Sequence, residues 1–369
     1  MMPAARSDQY HRVKNRMFFS GLFLDFAFLM IFFFAGWSLT VRNWTFVISS
    51  NFWIANGLYV FLFSSLLYLL HLPLNFFLGY IWEHKFQLSN QNFFQWWTDD
   101  LKQSALGLVM VVVLVEVVYF FLRHFPSGWW ICAWIFWVFM AVIMAKITPN
   151  VIIPIFYKYV PINNASLKDR IFDMFKKCKV FLQDVYMIDM SQKTKKANAF
   201  VCGIGRTRRV VLGDTLVNQY TVDEIEAVVA HELGHYVHRD IFKLLIVNGI
   251  VIFVGFYLIA LFLNYSVGAF HLRGIDDIAF LPMITVAFVV FSLATAIPLN
   301  AFSRYLEKQA DLFCLTMTQK PADFISLMKK LGEMNLAKEN PSLMEKLFFY
   351  DHPPLKERIA VGEKFKVTK

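Results

Sequence analysis

Residues 231–263 read HELGHYVHRDIFKLLIVNGIVIFVGFYLIALFL, and two kinds of structure meet in this stretch. His231 and His235 lie four residues apart, a spacing that puts both imidazoles on one face of an α-helix, within reach of one metal ion. Glu232 lies beside that face, where a carboxylate can polarise a metal-bound water molecule. Residues 241–263 are almost entirely apolar and long enough to cross a bilayer. Because no proline or glycine interrupts residues 236–240, we expect the helix to continue through Asp240 into the span.

The residues before the motif also indicate a helix. Thr221 is a suitable N-cap, and Asp223 and Glu224 place negative charge in the first turn, where it interacts favourably with the helix dipole. Four apolar residues follow at helical spacing: Ile225, Val228, Val229 and Leu233. The alternative interpretation is an ordinary helix with two exposed histidines, but a chance match is uncommon with only nine histidines in the chain.

The composition of the 369 residues is that of an integral membrane protein: 57% are hydrophobic, 18% are aromatic, and the mean hydropathy is +0.49. The net charge of +9 could indicate a nucleic-acid partner. We expect none, because the basic residues concentrate in particular loops and fit the positive-inside pattern of membrane proteins. The four scattered cysteines predict neither a disulfide framework nor a zinc ribbon.

About six segments are long enough to span a bilayer, which takes ~20 residues each. They lie near 17–39, 53–79, 104–122, 129–149, 241–263 and 279–299, and Pro73 marks a tilt or kink in the second. Asp25, Asn56 and Glu116 fall inside these runs, where polar groups usually face the bundle interior or a water-filled cavity. His71, next to Pro73, is expected near an interface.

Loop charge predicts the orientation of the spans. The N-terminal segment, the 80–103 loop, the 150–240 segment and the C-terminal tail are basic, whereas the loops near 38–52, 123–128 and 264–278 carry a single arginine each. Six spans then place both termini and the catalytic segment on the cytoplasmic side. The sixteen residues before the first span are polar and basic, and they do not resemble a cleavable signal peptide.

The chain therefore divides into four predicted regions. Residues 1–149 carry four spans, 150–240 form a soluble catalytic insert, 241–299 carry two further spans, and 300–369 form C-terminal helices. Within the insert, Leu167–Lys179 is predicted as a helix, and Val185–Ile188, Asn198–Cys202 and Arg209–Leu212 as strands. The predicted fold is mainly α and polytopic, with a small α+β catalytic domain at the cytoplasmic face.

A catalytic zinc site needs a third protein ligand, with the fourth position left to water. Glu307 is the best candidate, because one more span separates it from the motif and could return the chain to the same membrane face. Asp311, four residues on, suits the carboxylate that accepts the second N–H of a metal-bound histidine. The same helix could instead be a solvated charged surface with ordinary i,i+4 pairs. His238 is expected to be a surface histidine.

Three acidic residues compete with Glu307 as the third ligand. They precede the histidines on the same helix and would reach the wrong end of it: Asp223, Glu224 and Glu226. With Glu307 as ligand, the predicted site binds one zinc ion per chain. Zinc makes a water molecule more acidic, and Glu232 accepts its proton and passes it to a leaving amine. Peptide-bond hydrolysis is the natural outcome, so a peptide or protein substrate is expected.

With Glu307 located, the chain resembles the type I CAAX prenyl proteases, which are membrane zinc endopeptidases. The matching stretches occur in order between residues 8 and 363. They are Leu72-Pro73-Leu74, Glu83-His84-Lys85-Phe86, Trp97 to Lys102, Pro154 to Tyr159, Lys195 to Phe200, Arg209 to Leu216, Ser303-Arg304 with Glu307 and Asp311, and His352-Pro353-Pro354 with Glu357-Arg358.

The resemblance implies roles that spacing alone does not. Asn198 would hold the substrate backbone, and the strand around Ala199 and Phe200 would pair with an extended peptide. His352 would donate to the oxyanion, although without the resemblance it is a loop histidine before a Pro-Pro turn. Two arginines would brace the site or, equally, form ordinary salt bridges: Arg304 and Arg358. The implied fold is a set of membrane helices around a large water-filled chamber, capped by a zincin-type domain.

Three features depart from the family pattern. Eukaryotic members have seven spans, an insert before the zinc helix and a histidine five residues after the second ligand. This chain has six predicted spans, no such insert, and Asp240 at that position. The first two departures resemble a bacterial member, which would lie in the inner membrane, whereas a eukaryotic member would lie in the endoplasmic reticulum membrane. For a bacterial member, prenylated CAAX proteins are not the expected natural substrates, and the function would be a broader turnover of membrane peptides. A quality-control protease of the HtpX type and a catalytically silent binding protein are the alternatives.

Overall fold

The computed structural model describes residues 3–203, 205–270 and 272–367, and most of them are helical. Six helices in this part of the chain are long and apolar enough to cross a membrane, which confirms the mainly α, polytopic prediction. They are Ala5–Phe34, Phe52–Lys85, Phe93–His124, Trp129–Phe156, Asp240–Ala269 and Ile278–Thr318. Each is longer than the apolar run that predicted it, because the helical backbone continues into polar residues at the ends.

The chain from Pro3 to Phe156 is helical and contains four of the six membrane-spanning helices. In chain order its helices are α1 (Pro3–Phe34), α2 (Trp37–Ile48), α3 (Phe52–Phe76), α4 (Glu83–Lys85), α5 (Phe93–His124), α6 (Trp129–Ile147) and α7 (Ile153–Phe156). π-helical segments at Phe77–Trp82 and Thr148–Ile152 join neighbouring helices. Pro73 lies inside α3, and the span continues past it into the first π-helical segment. Pro73 therefore precedes an irregular stretch of helix rather than a break.

Helix α2 was not predicted, because the sequence analysis assigned residues 38–52 to a connection. The chain leaves α1 at Gly36, whose φ of 78° lies in the left-handed region that glycine tolerates. The 12 residues of α2 then form a helix that is about 18 Å long. A bilayer core is about 30 Å thick, so α2 is too short to cross it.

The soluble insert contains a four-stranded sheet. Its elements are β1 (Tyr159–Pro161), α8 (Ala165–Lys177), β2 (Asp184–Ile188), β3 (Ala199–Cys202), β4 (Arg209–Gly213), α9 (Asp214–Gln219) and α10 (Val222–Val237). The strand order is β1-β2-β4-β3, with β2 and β4 parallel and the other pairs antiparallel. The three predicted strands are present within one residue of their predicted bounds, and β1 is additional. Because β3 is an edge strand, one side of it is not paired within the sheet.

The C-terminal part returns the chain to the catalytic insert. It comprises α11 (Asp240–Ala269), α12 (Leu281–Thr318), α13 (Pro321–Met334), α14 (Leu343–Phe349) and α15 (Leu355–Lys364). Short 3₁₀ turns occur at Met190–Gln192, Gly205–Thr207 and Ile278–Phe280. Helix α12 is unbroken over 38 residues, so the last span continues directly into the segment that carries Glu307. One apolar core joins α8, the sheet, α10, α12 and α13, and Leu212, Leu233 and Phe324 are fully buried in it.

Gly234 sets how closely α10 and α12 approach. A Cβ atom added at Gly234 would lie 3.2 Å from Ala310 Cα and 3.1 Å from Phe313 Cδ1. These distances are shorter than ordinary van der Waals contact, and the Cα atom belongs to a helix backbone that cannot move aside locally. The absence of a side chain at Gly234 therefore allows the helix of the two histidines to lie against the helix of Glu307.

The predicted continuous helix from the motif into the next span is wrong. Helix α10 ends at Val237, and α11 begins at Asp240. Arg239 between them has φ 57° and ψ 37°, a left-handed conformation that breaks the helix without glycine or proline. The left-handed region costs a non-glycine residue about 1–2 kcal/mol, so the surrounding structure must hold Arg239 there.

Polar side chains inside the spans differ in how they are satisfied. Asp25 and His71, on α1 and α3, form a pair with 2.5 Å between Oδ1 and Nε2. His71 was expected near an interface, and its pairing with an acid of another span is a relation that the sequence did not predict. Asn56 is fully buried, and neither it nor the Glu116 carboxylate has a hydrogen-bond partner in the described part of the chain.

Candidate metal centre

The helix that carries the two histidines begins as predicted. The Thr221 hydroxyl accepts a hydrogen bond from the backbone N–H of Glu224, and the Glu224 carboxylate accepts one from the backbone N–H of Thr221. This capping box fixes the first turn of α10. Farther along the same helix, His231 is buried, and its ring centroid lies 4.8 Å from that of His235.

Three potential ligand groups converge at one point. Atoms of His231, His235 and Glu307 all lie within 4.8 Å of one another. Nε2 of His235 is 3.2 Å from Nε2 of His231 and 3.1 Å from Oε1 of Glu307, and Nε2 of His231 is 3.3 Å from Oε2 of Glu307. The set of two histidines and one glutamate is a donor set typical of catalytic zinc sites in hydrolases.

The Glu307 carboxylate is in an environment that suits a bound cation. Its Oε2 atom is buried, and none of the described residues donates a hydrogen bond to it. A buried carboxylate oxygen without a hydrogen-bond donor costs free energy, and a bound cation would remove that cost. The orphaned oxygen and the two facing imidazole nitrogens therefore fit a metal ion.

The far side of His231 is held by a buried acid. Its Nδ1 lies 2.9 Å from Oδ1 of Asp311, which is itself almost completely buried. Arg358 donates two hydrogen bonds to Asp311, from Nε at 2.8 Å and from Nη2 at 2.6 Å. The chain thus places Asp311 behind His231 and Arg358 behind Asp311.

The far side of His235 is held by Asp240, for which the sequence predicted no role at the site. Its Nδ1 lies 2.9 Å from Oδ2 of Asp240, the first residue of α11. The sequence signal was the replacement of the usual histidine at this position. A continuous helix, as we expected, would have pointed Asp240 away from His235.

The electrostatic environment favours positive charge between these groups. Burial alone would lower the pKa of His231, but the carboxylates of Asp311 and Glu307 raise it to about 9. Burial likewise opposes protonation of His235, and Glu307 together with Asp240 raises the pKa of that imidazole. Imidazoles that hold protons this firmly mark a place of negative potential, which a metal cation can occupy instead.

Glu232 faces a cavity rather than an ion-pair partner. The cavity has a volume of about 330 Å³ and is lined by His231, Glu232, Asn198, Ala199 and His352, with apolar side chains from α13 and α15 around them. Burial raises the pKa of the Glu232 carboxyl, as expected for an acid removed from water. A buried carboxyl with a raised pKa beside a metal site is suited to accept a proton and to release it again.

His352 also reaches this cavity. Its Nε2 lies 3.4 Å from Oε1 of Glu307, its Nδ1 lies 2.8 Å from Oδ1 of Asp351, and about half of its side chain is exposed. The hydrogen bond with Asp351 raises the pKa of His352 against the opposing effect of burial. Arg304 holds this segment in place, donating hydrogen bonds to the carbonyls of Lys346 at 2.9 Å and Tyr350 at 2.5 Å.

The three predicted substrate residues do not share one environment. Asn198 and Ala199 line the cavity, and the Asn198 carbonyl accepts the Gly213 N–H at 2.9 Å. Phe200 points to the opposite face of the sheet, because side chains alternate along a strand, and packs in a cluster with Val211. The geometry therefore brings Asn198 and Ala199 to the candidate site but leaves the Phe200 side chain on the other face.

The competing acids lie elsewhere, at the start of α10. Asp223 and Glu226 pair with Lys320 at 2.7 and 2.9 Å, and Glu224 pairs with Lys330 at 2.7 Å.

His238, expected at the surface, is instead partly buried. Its ring packs edge-on against Phe313, with 5.5 Å between the ring centroids. His238 is not among the converging ligand groups found in the described part of the chain.

Two family models together match nearly the whole chain. Residues 161–364 match peptidase family M48, and residues 4–158 match the CAAX prenyl protease N-terminal region, described as having five membrane helices. Residues 4–158 contain four helices of membrane-spanning length together with the shorter α2.

Individual relatives agree with these matches. The chain is 30% identical to the uncharacterized metalloprotease YhfN of Bacillus subtilis, over 98% of this chain and 85% of that protein. It is 29% identical to CAAX prenyl protease 1 of Saccharomyces cerevisiae, over 81% of this chain and 70% of that protein. Its fold matches the crystal structure of S. mikatae Ste24p with a TM-score of 0.87 at 23% identity, covering 98% and 89% of the two chains.

These matches do not favour a quality-control protease of the HtpX type or a catalytically silent binding protein. They identify a multi-pass, membrane-embedded metalloprotease that acts on peptide or protein substrates in a lipid environment. The family implies a bound metal, and the converging groups on α10 and α12 fit one. The chain belongs to peptidase family M48.

Proposed function

We propose that this chain is an endopeptidase that binds one zinc ion through His231, His235 and Glu307 and cleaves membrane-associated peptides. The observation that carries the proposal is the cavity that His231 and Glu232 line. Glu232, His352 and the edge strand β3 all border it, so a peptide on β3 would lie next to the metal site. The same constellation fits no simpler role, because a purely structural zinc site is normally closed by four protein ligands.

Glu232 is the proton-transfer residue of the proposed reaction. Zinc, when bound, makes a water molecule more acidic and polarises the carbonyl group of the scissile bond. The Glu232 carboxylate accepts a proton from the attacking water and transfers it to the leaving nitrogen as the carbon–nitrogen bond breaks. Its raised pKa suits both halves of this transfer, because the proton must be accepted and then released.

His352 is the proposed donor to the oxyanion that forms on the attacked carbonyl. Asp351 holds Nδ1, which leaves Nε2 directed toward the metal site, 3.4 Å from Glu307. Asp351 also raises the pKa of His352, so the ring carries a donor proton over a wider pH range. A donor placed where negative charge develops stabilises the transition state more than the ground state.

Strand β3 is the proposed binding platform for the peptide backbone. Its pairing with β4 runs from Ala199 opposite Leu212 to Cys202 opposite Arg209, and its other edge is not paired in the sheet. An extended peptide can add to such an edge through backbone hydrogen bonds. The Asn198 side chain, at the cavity end of the strand, would hold the peptide beside the metal site.

The relatives and the loop charges support the proposed substrate class and membrane side. Several relatives are named CAAX prenyl protease 1, which supports peptides with a prenylated C-terminus as substrates that this chain can accept. The basic 80–103 loop and 150–240 segment support a catalytic site on the cytoplasmic side, and the similarity to a Bacillus protein supports a bacterial inner membrane. We infer broader membrane-peptide turnover, with prenylation assisting rather than required.

One experiment tests this proposal directly. Purified full-length protein in detergent is incubated with zinc and with matched prenylated and unprenylated peptides, and the products are mapped by mass spectrometry. We expect cleavage of both peptides, faster for the prenylated one, and none with Glu232→Ala. Absence of cleavage of any peptide by the zinc-loaded wild type would refute the proposed endopeptidase.

Orientation has its own test. Single cysteines introduced in the 80–103 and 264–278 loops, in a variant without the four native cysteines, are labelled in sealed inner-membrane vesicles of known sidedness. We expect the 80–103 position to react from the cytoplasmic side only and the 264–278 position from the opposite side only. Equal reaction of both from the cytoplasmic side contradicts the six-span topology.

A further inference from the structure

Asp240 is a buried acid at the first position of span α11. It is 2% exposed, and both oxygens of its carboxylate have partners. Oδ2 lies 2.9 Å from His235 Nδ1, and Oδ1 lies 2.9 Å from Lys243 Nζ. None of the steps proposed above uses this residue.

The contact between Asp240 and His235 exists only because the helix breaks. On a continuous α-helix a residue five positions on is rotated by about 140° from the first, so its side chain points to another face. Here α10 ends at Val237, and the left-handed Arg239 turns the chain so that Asp240 lies under His235. A strained conformation at a non-glycine residue persists where neighbouring contacts hold it, and it often occurs next to a functional group.

The contact determines which nitrogen of His235 carries the proton. Nε2 faces Glu307 and His231, so this nitrogen must offer its lone pair if the ring binds a metal. The proton must then lie on Nδ1, and an ionised carboxylate can only accept it in a hydrogen bond. Asp240 therefore selects the tautomer of His235 that is competent to bind metal.

The two histidines of the candidate site are supported in parallel ways. Asp311 of α12 lies behind His231, and Asp240 of α11 lies behind His235, with 2.9 Å between carboxylate oxygen and Nδ1 in both cases. The two carboxylates come from two different membrane-spanning helices. Each ring is thus oriented by a different span.

We propose that Asp240 is a positioning residue that fixes the tautomer and orientation of His235 and thereby couples the start of span α11 to the metal centre. This inference rests on the ligand set proposed above. The competing interpretation is that Asp240 only forms an ion pair with Lys243. Lys243 is 41% exposed, and an ion pair with such a partner contributes less than about 1 kcal/mol, so it does not account for a buried acid at this place.

Zinc affinity of the full-length protein in detergent distinguishes the two interpretations. It is measured by competition with a fluorescent zinc chelator, for the wild type and for Asp240→Ala, Asp240→Asn and Lys243→Met. We expect Asp240→Ala to weaken zinc binding by about 10- to 100-fold, the usual effect of removing a partner of a metal-bound histidine. Asp240→Asn should lose less, because the amide oxygen still accepts a hydrogen bond, and Lys243→Met should lose least.

Asp277 provides a matched control on the other connection between spans. It is also an almost buried aspartate, paired with Arg42 at 2.6 Å, and it caps the turn before α12. Asp277→Asn should lower thermal stability and leave zinc affinity unchanged. Cobalt(II) absorption gives a second readout: the ligand-field bands should change in the Asp240 variants and remain as in the wild type for Asp277→Asn.

The outcomes separate this inference from the proposed function. If Asp240→Ala and Asp240→Asn both bind zinc within twofold of the wild type with unchanged cobalt spectra, the inference is wrong although the ligand set stands. If Lys243→Met weakens binding as much as Asp240→Ala, the ion pair is the cause and the inference is also wrong. If the wild type itself binds no zinc, the ligand set fails first. Should Asp240→Ala not fold, Asp240→Asn, which preserves the shape of the side chain, decides the result.

Discussion

Helix α10 carries acidic side chains in its first turns and again beside its histidines, and the partners of these acids differ. Asp223, Glu224 and Glu226 each contact a lysine within α13 or at its N-cap, at 2.7–2.9 Å. Glu232, two turns later, has no lysine or arginine partner within the described residues and borders a cavity instead. The same residue type therefore stabilises the fold where cations meet it and remains available for chemistry where none does.

Removal of the third ligand should have the largest effect. Glu307→Ala deletes both carboxylate oxygens that face His231 and His235, so we expect loss of stoichiometric zinc and of all peptidase activity. Zinc content by inductively coupled plasma mass spectrometry and peptide cleavage are the measurements. Gln309→Ala, at a partly exposed position on the same helix, is the control and should retain both. Retention of zinc and activity by Glu307→Ala would show that the ligand assignment is wrong.

Replacement of the proposed proton-transfer residue should separate chemistry from metal binding. Glu232→Gln preserves size and removes the ability to accept a proton, so we expect kcat to fall by about 10²- to 10⁴-fold with zinc still bound. Glu226→Gln is the matched control in the first half of the helix, and its effect should be on thermal stability alone. Comparable losses of kcat in both variants would contradict the division of α10 into two halves.

The closeness of α10 and α12 can be changed at one position. Gly234→Ala adds a Cβ atom 3.2 Å from Ala310 Cα and should push the two helices apart, at a cost of about 1–3 kcal/mol. Because the histidines and Glu307 lie on opposite sides of this contact, zinc affinity should fall with stability.

Gly249→Ala, a helical glycine of α11 whose added Cβ would meet nothing within 4 Å, is the control and should be neutral or slightly stabilising. Thermal unfolding and chelator competition measure the two effects. Wild-type zinc affinity in Gly234→Ala would mean that helix spacing does not set the ligand geometry.

The sequence predicted the parts of this protein that depend on periodicity and composition. Six spans follow from apolar length, and three strands follow from short β-branched runs between turn residues. The helix of the two histidines follows from a capping signal and an apolar stripe at helical spacing. The ligand set stays a prediction: its two histidines followed from spacing, since residues four apart share a helix face, and Glu307 followed from the one span that separates it from them.

The sequence did not predict features that depend on contacts between distant segments. The left-handed Arg239 carries no local signal, because glycine or asparagine is the usual residue in that conformation. The short helix α2 lies in a stretch whose composition also fits a connection. The exclusion of Glu224 from the ligands rested on its distance along the helix, whereas its partners Ser326 and Lys330 lie on α13, about a hundred residues later.

Glu224 also gives a test of the structural half of α10 through pH. Its carboxylate accepts hydrogen bonds from Lys330 and Ser326, each at 2.7 Å, and from the Thr221 N–H at 2.8 Å. Burial would raise the pKa of Glu224, but these donors lower it below its ordinary value. A lowered folded-state pKa means that the ionised carboxylate stabilises the fold above the unfolded-state pKa of about 4.3, and that this contribution is lost as the pH falls through the folded-state pKa.

Glu224→Gln should therefore lower the free energy of unfolding by about 1–2 kcal/mol at pH 7, with a smaller difference from the wild type below about pH 4. Thermal unfolding in detergent at the two pH values measures it, and zinc content should not change at pH 7. A difference between variant and wild type that grows as the pH falls would contradict the sign of the pKa shift. Loss of zinc at pH 7 would show instead that the first turn of α10 and the metal centre are not separable, because the capping box then holds the histidines as well as the start of the helix.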